Sequence, residues 1–147
     1  MSESAQIDFD KLAKEIAVCE FAVGEPAPAA VAAVVRKTVV AALGTARGSA
    51  PLKLDAVREI CRGAMKGLLQ IDKPLAEPAA AILAQLALVA EERGIDLQEM
   101  LTRAVEGIAS ASDRLPEESE IRVALEAQFL GVGELFDSLR AQAKKLP

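Results

Sequence analysis

The sequence predicts an all-α protein, a single-domain bundle of about six helices built from helical hairpins. Apolar residues recur at three- and four-residue spacing in every periodic segment, and no segment alternates as a strand does. The chain is 52% apolar and holds 29 alanines but four aromatic residues, a composition suited to close helix packing. Residues 79–90 are apolar apart from Gln85. A helix that is apolar on every side has to be surrounded by others, so this segment is predicted to be the central helix.

The first two predicted helices are separated by a proline-rich connector. Asp8 can cap a first helix that ends at Gly24. Its inward positions recur at three- and four-residue spacing between Phe9 and Val23. Pro28 is acceptable in the first turn of the second helix, because the N–H groups there have no intrahelical partner. This second helix is predicted to run to about Ala46.

The later helices are bounded by glycine, proline and capping residues. An apolar stripe predicts a third helix from Lys53 to Leu69, and Pro78 and Gly94 are predicted to bound the regular part of the central helix. Asp96 is predicted to cap a fifth helix, 97–111. A sixth follows Pro116 and is interrupted by Gly131 and Gly133, which indicates a kink, a close crossing or two shorter helices.

Two short sequence matches suggest an internal repeat. Residues 81–85 resemble 124–128, and residues 61–63 resemble 105–107, at offsets of 43 and 44 residues. Such a period fits a repeated helical hairpin, although alanine-rich composition imitates repeats easily. The length indicates one domain, 1–147, with flexible ends at 1–6 and 144–147.

The composition argues against several classes of protein. A formal net charge of −5 and a pI near 4.9 argue against a nucleic-acid binder. No window approaches the roughly 20 apolar residues that span a bilayer, and the first residues do not resemble a signal peptide. The sequence therefore predicts a cytoplasmic protein. Cys19 and Cys61 lie too far apart for a metal or redox motif and are predicted to be buried free thiols.

The sequence does not point to an enzyme. It contains no His and no Tyr, which removes the commonest general base and the usual partner of a catalytic nucleophile. The neighbouring acids Glu91 and Glu92 point about 100° apart on a helix, so they do not form a converging pair. We predict no catalytic residues, no cofactor and no metal site.

Basic and acidic residues separate along the chain. Seven basic residues lie between positions 36 and 66 against two acids, whereas residues 77–137 hold thirteen acids against four arginines. If the two segments occupied separate sides, the molecule would be an electrical dipole that attracts an acidic partner or a second copy. A mixed surface is the alternative, because antiparallel hairpins bring distant segments together. The candidate charged patch consists of Arg36, Lys37, Arg47, Arg58, Arg62 and Lys66.

The second predicted helix suggests an interface. It is apolar nearly all round, yet the central helix already occupies the enclosed position of a six-helix domain. A contiguous apolar patch usually marks a contact surface, so we predict a homodimer through this helix. Its candidate interface residues are Val31, Val34, Val35, Val39 and Val40.

The four phenylalanines predict how the bundle closes. Phe9, Phe21, Phe129 and Phe136 all lie in the first or last predicted helix. We expect some of them to meet where those two helices pack, because a bulky ring fills space that alanine cannot.

Three functions remain open at this point. The first is a non-enzymatic protein–protein interaction or scaffold module with an unidentified protein partner. The alternative is an amphipathic surface-active protein that associates with a membrane or hydrophobic granule, suggested by the second helix, where Arg36 and Lys37 interrupt an apolar cylinder. The second alternative is a small-molecule binding bundle with a pocket lined by Met65, Met100 and Leu101.

Overall fold

The computed structural model describes residues 28–44, 51–70, 74–112 and 118–145. These residues form six helices and no strand, which confirms the all-α bundle. The helices are α1 (Pro28–Leu43), α2 (Pro51–Gln70), α3 (Ala76–Arg93), α4 (Leu97–Ser112), α5 (Glu118–Gln128) and α6 (Val132–Lys145). The predicted first helix, which includes Phe9, Phe21 and Cys19, lies outside the described residues, as does Arg47.

Proline is the first residue of two of these helices and lies in the first turn of a third. Pro28 and Pro51 are the first residues of α1 and α2, where a missing N–H costs no hydrogen bond. The central helix α3 begins at Ala76, two residues before the predicted start at Pro78. The first hydrogen bond of the helix is donated by the Ala79 N–H to the Leu75 carbonyl, at 2.9 Å. No N–H is needed at position 78, so proline is tolerated there.

Glycine ends α1 and α3. Gly44 has φ 60°, so α1 stops at Leu43 rather than near Ala46. Gly94 has φ 68° and follows α3 as predicted, and the next N–H, of Ile95, bonds back to the Ala90 carbonyl at 2.9 Å. The side chain of Ile95 is buried at the same point.

The predicted sixth helix is two shorter helices. Gly131 has φ 93° in a turn of three residues between α5 and α6. Of the three alternatives for the glycine pair, the structure therefore has the separate helices. The helix α6 continues to Lys145, and the predicted flexible ends at 1–6 and 144–147 stay predictions, since residues 1–6, 146 and 147 lie outside the described residues.

The helices form two layers in which each helix packs against the next but one. The first layer is α1, α3 and α5, and the second is α2, α4 and α6. Within the first layer, α1 and α3 run parallel. Arg36 on α1 bonds Glu92 near the end of α3, and the carbonyl of Gly44, directly after α1, accepts from Arg93.

The same parallel relation joins α2 and α4. Asp55 forms an ion pair with Arg103, and further along the two helices Cys61 faces Gly107. Helices consecutive in sequence connect the layers as hairpins, as in stacked helical repeats. In each of the two sequence matches, the similar segments lie on two helices of the same layer. A repeated hairpin would place them in this way: 81–85 with 124–128 in the first layer, and 61–63 with 105–107 in the second.

One contiguous hydrophobic core takes residues from all six helices. The central helix α3 packs on α1, α4 and α5, but it is not enclosed on every side, because Leu88 is 45% exposed. This corrects the prediction of a fully surrounded helix. In the other layer, α4 has an equally central place between α2, α3 and α6.

The helices α2 and α4 approach each other closely at Gly107. A Cβ added to Gly107 would lie 2.3 Å from the carbonyl oxygen of Arg58 and 3.0 Å from the Cβ of Cys61. The backbone of α2 therefore occupies the space that a side chain at position 107 would need, and this crossing fixes the relation of the two helices.

Candidate interaction cleft

An apolar cleft of about 560 Å³ lies between the start of α4 and the turn that joins α5 to α6. Six apolar side chains, two polar ones and one glycine line this interaction cleft: Asp96, Leu97, Gln98, Leu101, Phe129, Leu130, Gly131, Val132 and Leu135. The lining offers apolar contact, one carboxylate and one amide. This arrangement suits non-covalent binding of an apolar group.

The carboxylate of Glu126 holds the turn on one side of the cleft. Glu126 Oε1 accepts hydrogen bonds from the backbone N–H groups of Gly131 and Gly133 at 3.1 Å and 2.9 Å. These N–H groups lie at the N-terminus of α6, where helical N–H groups lack intrahelical partners and the helix dipole favours a negative charge. Both bonds lower the pKa of Glu126 below its ordinary value of 4.5, so the carboxylate is ionised at neutral pH.

Gly133 makes this close approach possible. A Cβ at position 133 would lie 3.0 Å from Glu126 Oε1 and 3.1 Å from Arg122 Nη1. Arg122 also donates from Nε to Asp137 Oδ2 at 2.6 Å, which raises the pKa of its guanidinium and joins α5 to α6 a second time. The turn at Phe129–Gly131 is therefore fixed from both helices.

Two exposed leucines stand at the cleft. Leu130, in the turn, is 95% exposed, and Leu97, at the first position of α4, is 44% exposed. The apolar spacing of α4 predicts an inward position for Leu97, and its exposure corrects that prediction, whereas sequence reasoning did not single out Leu130. The available signal was the apolar Phe129-Leu130 pair directly before the predicted break at Gly131, since breaks of this kind are usually polar.

The structure corrects most of the candidate interface. Val31, Val35 and Val39 are at most 2% exposed and belong to the core of the same chain, while Val34 and Val40 are half-buried against it. The valines point inward because α1 packs on both α2 and α3. The exposed positions of α1 are held by alanines and a lysine, namely Ala29, Ala30, Ala33, Lys37 and Ala41.

The candidate charged patch is divided between the two layers. Arg36 turns toward α3, where it bonds Gln85 at 2.8 Å and both carboxylate oxygens of Glu92 at 2.8 and 2.9 Å. Arg58 and Arg62 lie on α2, and each forms an ion pair of 3.5 Å with Glu59. Lys37 is exposed and Lys66 is half-buried. The three described arginines of the patch thus form ion pairs with acids of the same helix or of a neighbouring one. This arrangement is that of the mixed surface, the alternative to an electrical dipole.

The pocket predicted for a small molecule is not at the expected place. Met65 and Met100 are fully buried core residues, and only Leu101 of the three lines the cleft. Cys61 is buried as predicted, and burial raises the pKa of its thiol to about 12. The thiol therefore stays protonated at neutral pH and lacks the thiolate that nucleophilic chemistry requires.

Two further kinds of feature are absent from the described part of the chain. No helix there is long and apolar enough to cross a membrane. No group of three or more His, Cys, Asp or Glu side chains in those residues could hold a metal ion.

Comparison with known proteins adds no relative. No family model, curated protein or solved structure matches this chain.

Proposed function

We propose that this chain is a non-enzymatic helical module that binds a protein partner through the interaction cleft. The observation that carries the proposal is Leu130, which is 95% exposed beside an apolar cleft and sits on a turn fixed by Glu126. A large apolar side chain held in water on a rigid turn is a good anchor, because little conformational entropy is lost when a partner covers it.

The expected contribution of Leu130 follows from its size. Burying a leucine side chain contributes about 1.5–3 kcal/mol, which corresponds to roughly a 10- to 100-fold change in affinity. Leu97 and the apolar floor of the cleft would add to this contact. In this proposal the module acts in the cytoplasm, and the homodimer predicted through α1 is a separate assembly that does not use the cleft.

The proposal is tested with three baits: the native protein, Leu130→Ser and the matched control Val123→Ser. Val123 lies on α5, is 66% exposed and does not line the cleft, so its substitution removes exposed apolar surface elsewhere. Each bait is used to capture proteins from a lysate, and mass spectrometry quantifies what is retained. Circular dichroism of all three baits establishes that they are equally folded.

We expect at least one protein to be retained by the native bait and by Val123→Ser, and to be depleted about tenfold on Leu130→Ser. Identical capture by all three folded baits would refute the cleft as the binding site. Equal depletion on both variants would also count against it, since the loss would then follow exposed apolar area in general.

A further inference from the structure

The helices α2 and α6 lie at the two ends of the second layer of described helices, but they differ in exposure. Among residues 132–142 of α6, five are exposed: Glu134, Asp137, Ser138, Ala141 and Gln142. Among residues 54–70 of α2, Gln70 alone is exposed. An end helix whose free side meets water should carry a stripe of exposed residues, as α6 does. The helix α2 lacks such a stripe.

Two buried glycines lie on the side of α2 that faces away from α4. Cys61 faces Gly107 of α4, and Gly63, two residues further on, points about 200° away from Cys61. Gly63 and Gly67 are both buried, and they lie about one helical turn apart. The other main described neighbour of α2 is α1, which belongs to the other layer. This side of α2 therefore suits the close approach of a further helix, as Gly107 suits the approach of α2.

The sequence indicates which segment would lie there. Residues 13–17, Ala-Lys-Glu-Ile-Ala, resemble residues 57–61, Val-Arg-Glu-Ile-Cys, at an offset of 44. The same offset relates 61–63 on α2 to 105–107 on α4, so the first segment would be to α2 what α2 is to α4. Connectivity agrees, because residues 25–27 are a short link to α1 and the described helices pack on the next but one.

We propose that residues 8–24, which lie outside the described residues, form a helix that packs parallel to α2 on the side opposite α4 and completes the second layer. The proposal does not depend on the cleft, which lies toward the other end of this layer. It also excludes the predicted contact of Phe9 or Phe21 with Phe136, because α6 stands at that other end.

The repeat also specifies the contacts of this helix. On α2 the atoms nearest to a Cβ at Gly107 belong to residues 58, 61 and 62, so the offset of 44 places positions 14, 17 and 18 against Gly63. The ion pair of Asp55 with Arg103 corresponds in the same way to Lys11 with Glu59, again two opposite charges. Glu59 also pairs with two arginines of its own helix, so the closest packing at Gly63 is the better target for a test.

The test is hydrogen exchange of the full chain, followed by mass spectrometry at two protein concentrations. Gly63→Leu places a bulky side chain in the proposed contact, and Ser138→Leu is the matched control at an exposed position of α6. Gly63→Ala is the milder variant, and its melting temperature is measured by circular dichroism. On an open helix side alanine raises the melting temperature, whereas against a packed backbone it lowers it.

We expect the amides of residues 8–24 to exchange at least about tenfold more slowly than those of an unfolded chain, at both concentrations. Gly63→Leu should abolish this protection while α6 stays protected, Ser138→Leu should leave it unchanged, and Gly63→Ala should melt about 4 °C lower. Unprotected amides in the native chain, protection that survives Gly63→Leu, or a Gly63→Ala variant that melts higher would each overturn the proposal. Protection that is lost on dilution would assign the contact to a second copy and overturn packing within one chain.

Discussion

Replacing Gly107 with alanine should destabilise the protein, although alanine is the better helix former. Gly107 lies in the interior of α4, where helix propensity alone favours alanine by about 0.8–1 kcal/mol. The added Cβ would lie 2.3 Å from the Arg58 carbonyl oxygen. Carbon and oxygen normally approach to about 3.3–3.6 Å, so the backbones of α2 and α4 would have to separate by about 1 Å.

The magnitude follows from the two opposing terms. Overpacking of a well-packed core costs about 1–3 kcal/mol and occasionally more, and a clash with backbone belongs at the upper end of that range. Subtracting the gain in propensity leaves a net loss of about 2 kcal/mol, or a melting temperature lower by about 4–8 °C for a chain of this size.

The assay is urea and thermal unfolding followed by far-ultraviolet circular dichroism. Ser110→Ala is the matched control, because Ser110 is exposed on the same helix and alanine has the higher helix propensity. We expect the control to be neutral or slightly stabilised. A Gly107→Ala variant at least as stable as the native protein would refute the close crossing of α2 and α4.

Three further predictions test the core, the turn and α1. Phe136→Ala should cost about 3–5 kcal/mol in urea unfolding, because the ring is fully buried, and a loss below about 1 kcal/mol would contradict that burial. The pKa of Glu126 is lowered in the folded state, so the carboxylate stabilises the fold fully above pH 4.5, and this stabilisation is lost as the pH falls through the folded-state pKa. Between those two pH values the free energy of unfolding should therefore fall less steeply in Glu126→Gln than in the native protein, as measured by urea unfolding at several pH values. Val35→Glu should unfold the chain, since Val35 is 2% exposed, whereas Val40→Glu, at a half-buried position, should remain folded. Light scattering of Val40→Glu beside the native protein then tests the homodimer, and a native protein that is monomeric at high micromolar concentration would count against it.

Local backbone chemistry makes much of the fold predictable. Pro28 at the start of α1 and Gly94 after α3 follow from the missing N–H of proline and the left-handed backbone that glycine adopts easily. The inward positions of α4 follow from their spacing, and Met100, Val105 and Ile108 are all buried. These features depend on a few neighbouring residues, so one sequence contains enough information for them.

The valines of α1 show what local patterns leave open. The sequence correctly predicts a helix that is apolar nearly all round, but the orientation of that helix depends on which helices lie beside it. Here α1 packs both on the next helix, α2, and on the next but one, α3. Its valines are therefore buried or half-buried, while several of its alanines face solvent. Small side chains can occupy either environment at low cost, which is why an alanine-rich helix specifies its buried face weakly.

The cleft could not be predicted for a related reason. It needs the start of α4 and the turn before α6 to be neighbours, although more than a full helix separates them in sequence. Their proximity follows from the packing of α4 on α6 within the second layer. What the sequence contains is the break at Gly131 and an acid, Glu126, five residues before it, a spacing that lets the end of one helix cap the start of the next. This capped break also holds Leu130 in water, and that combination is the physical basis for the contact proposed at the turn.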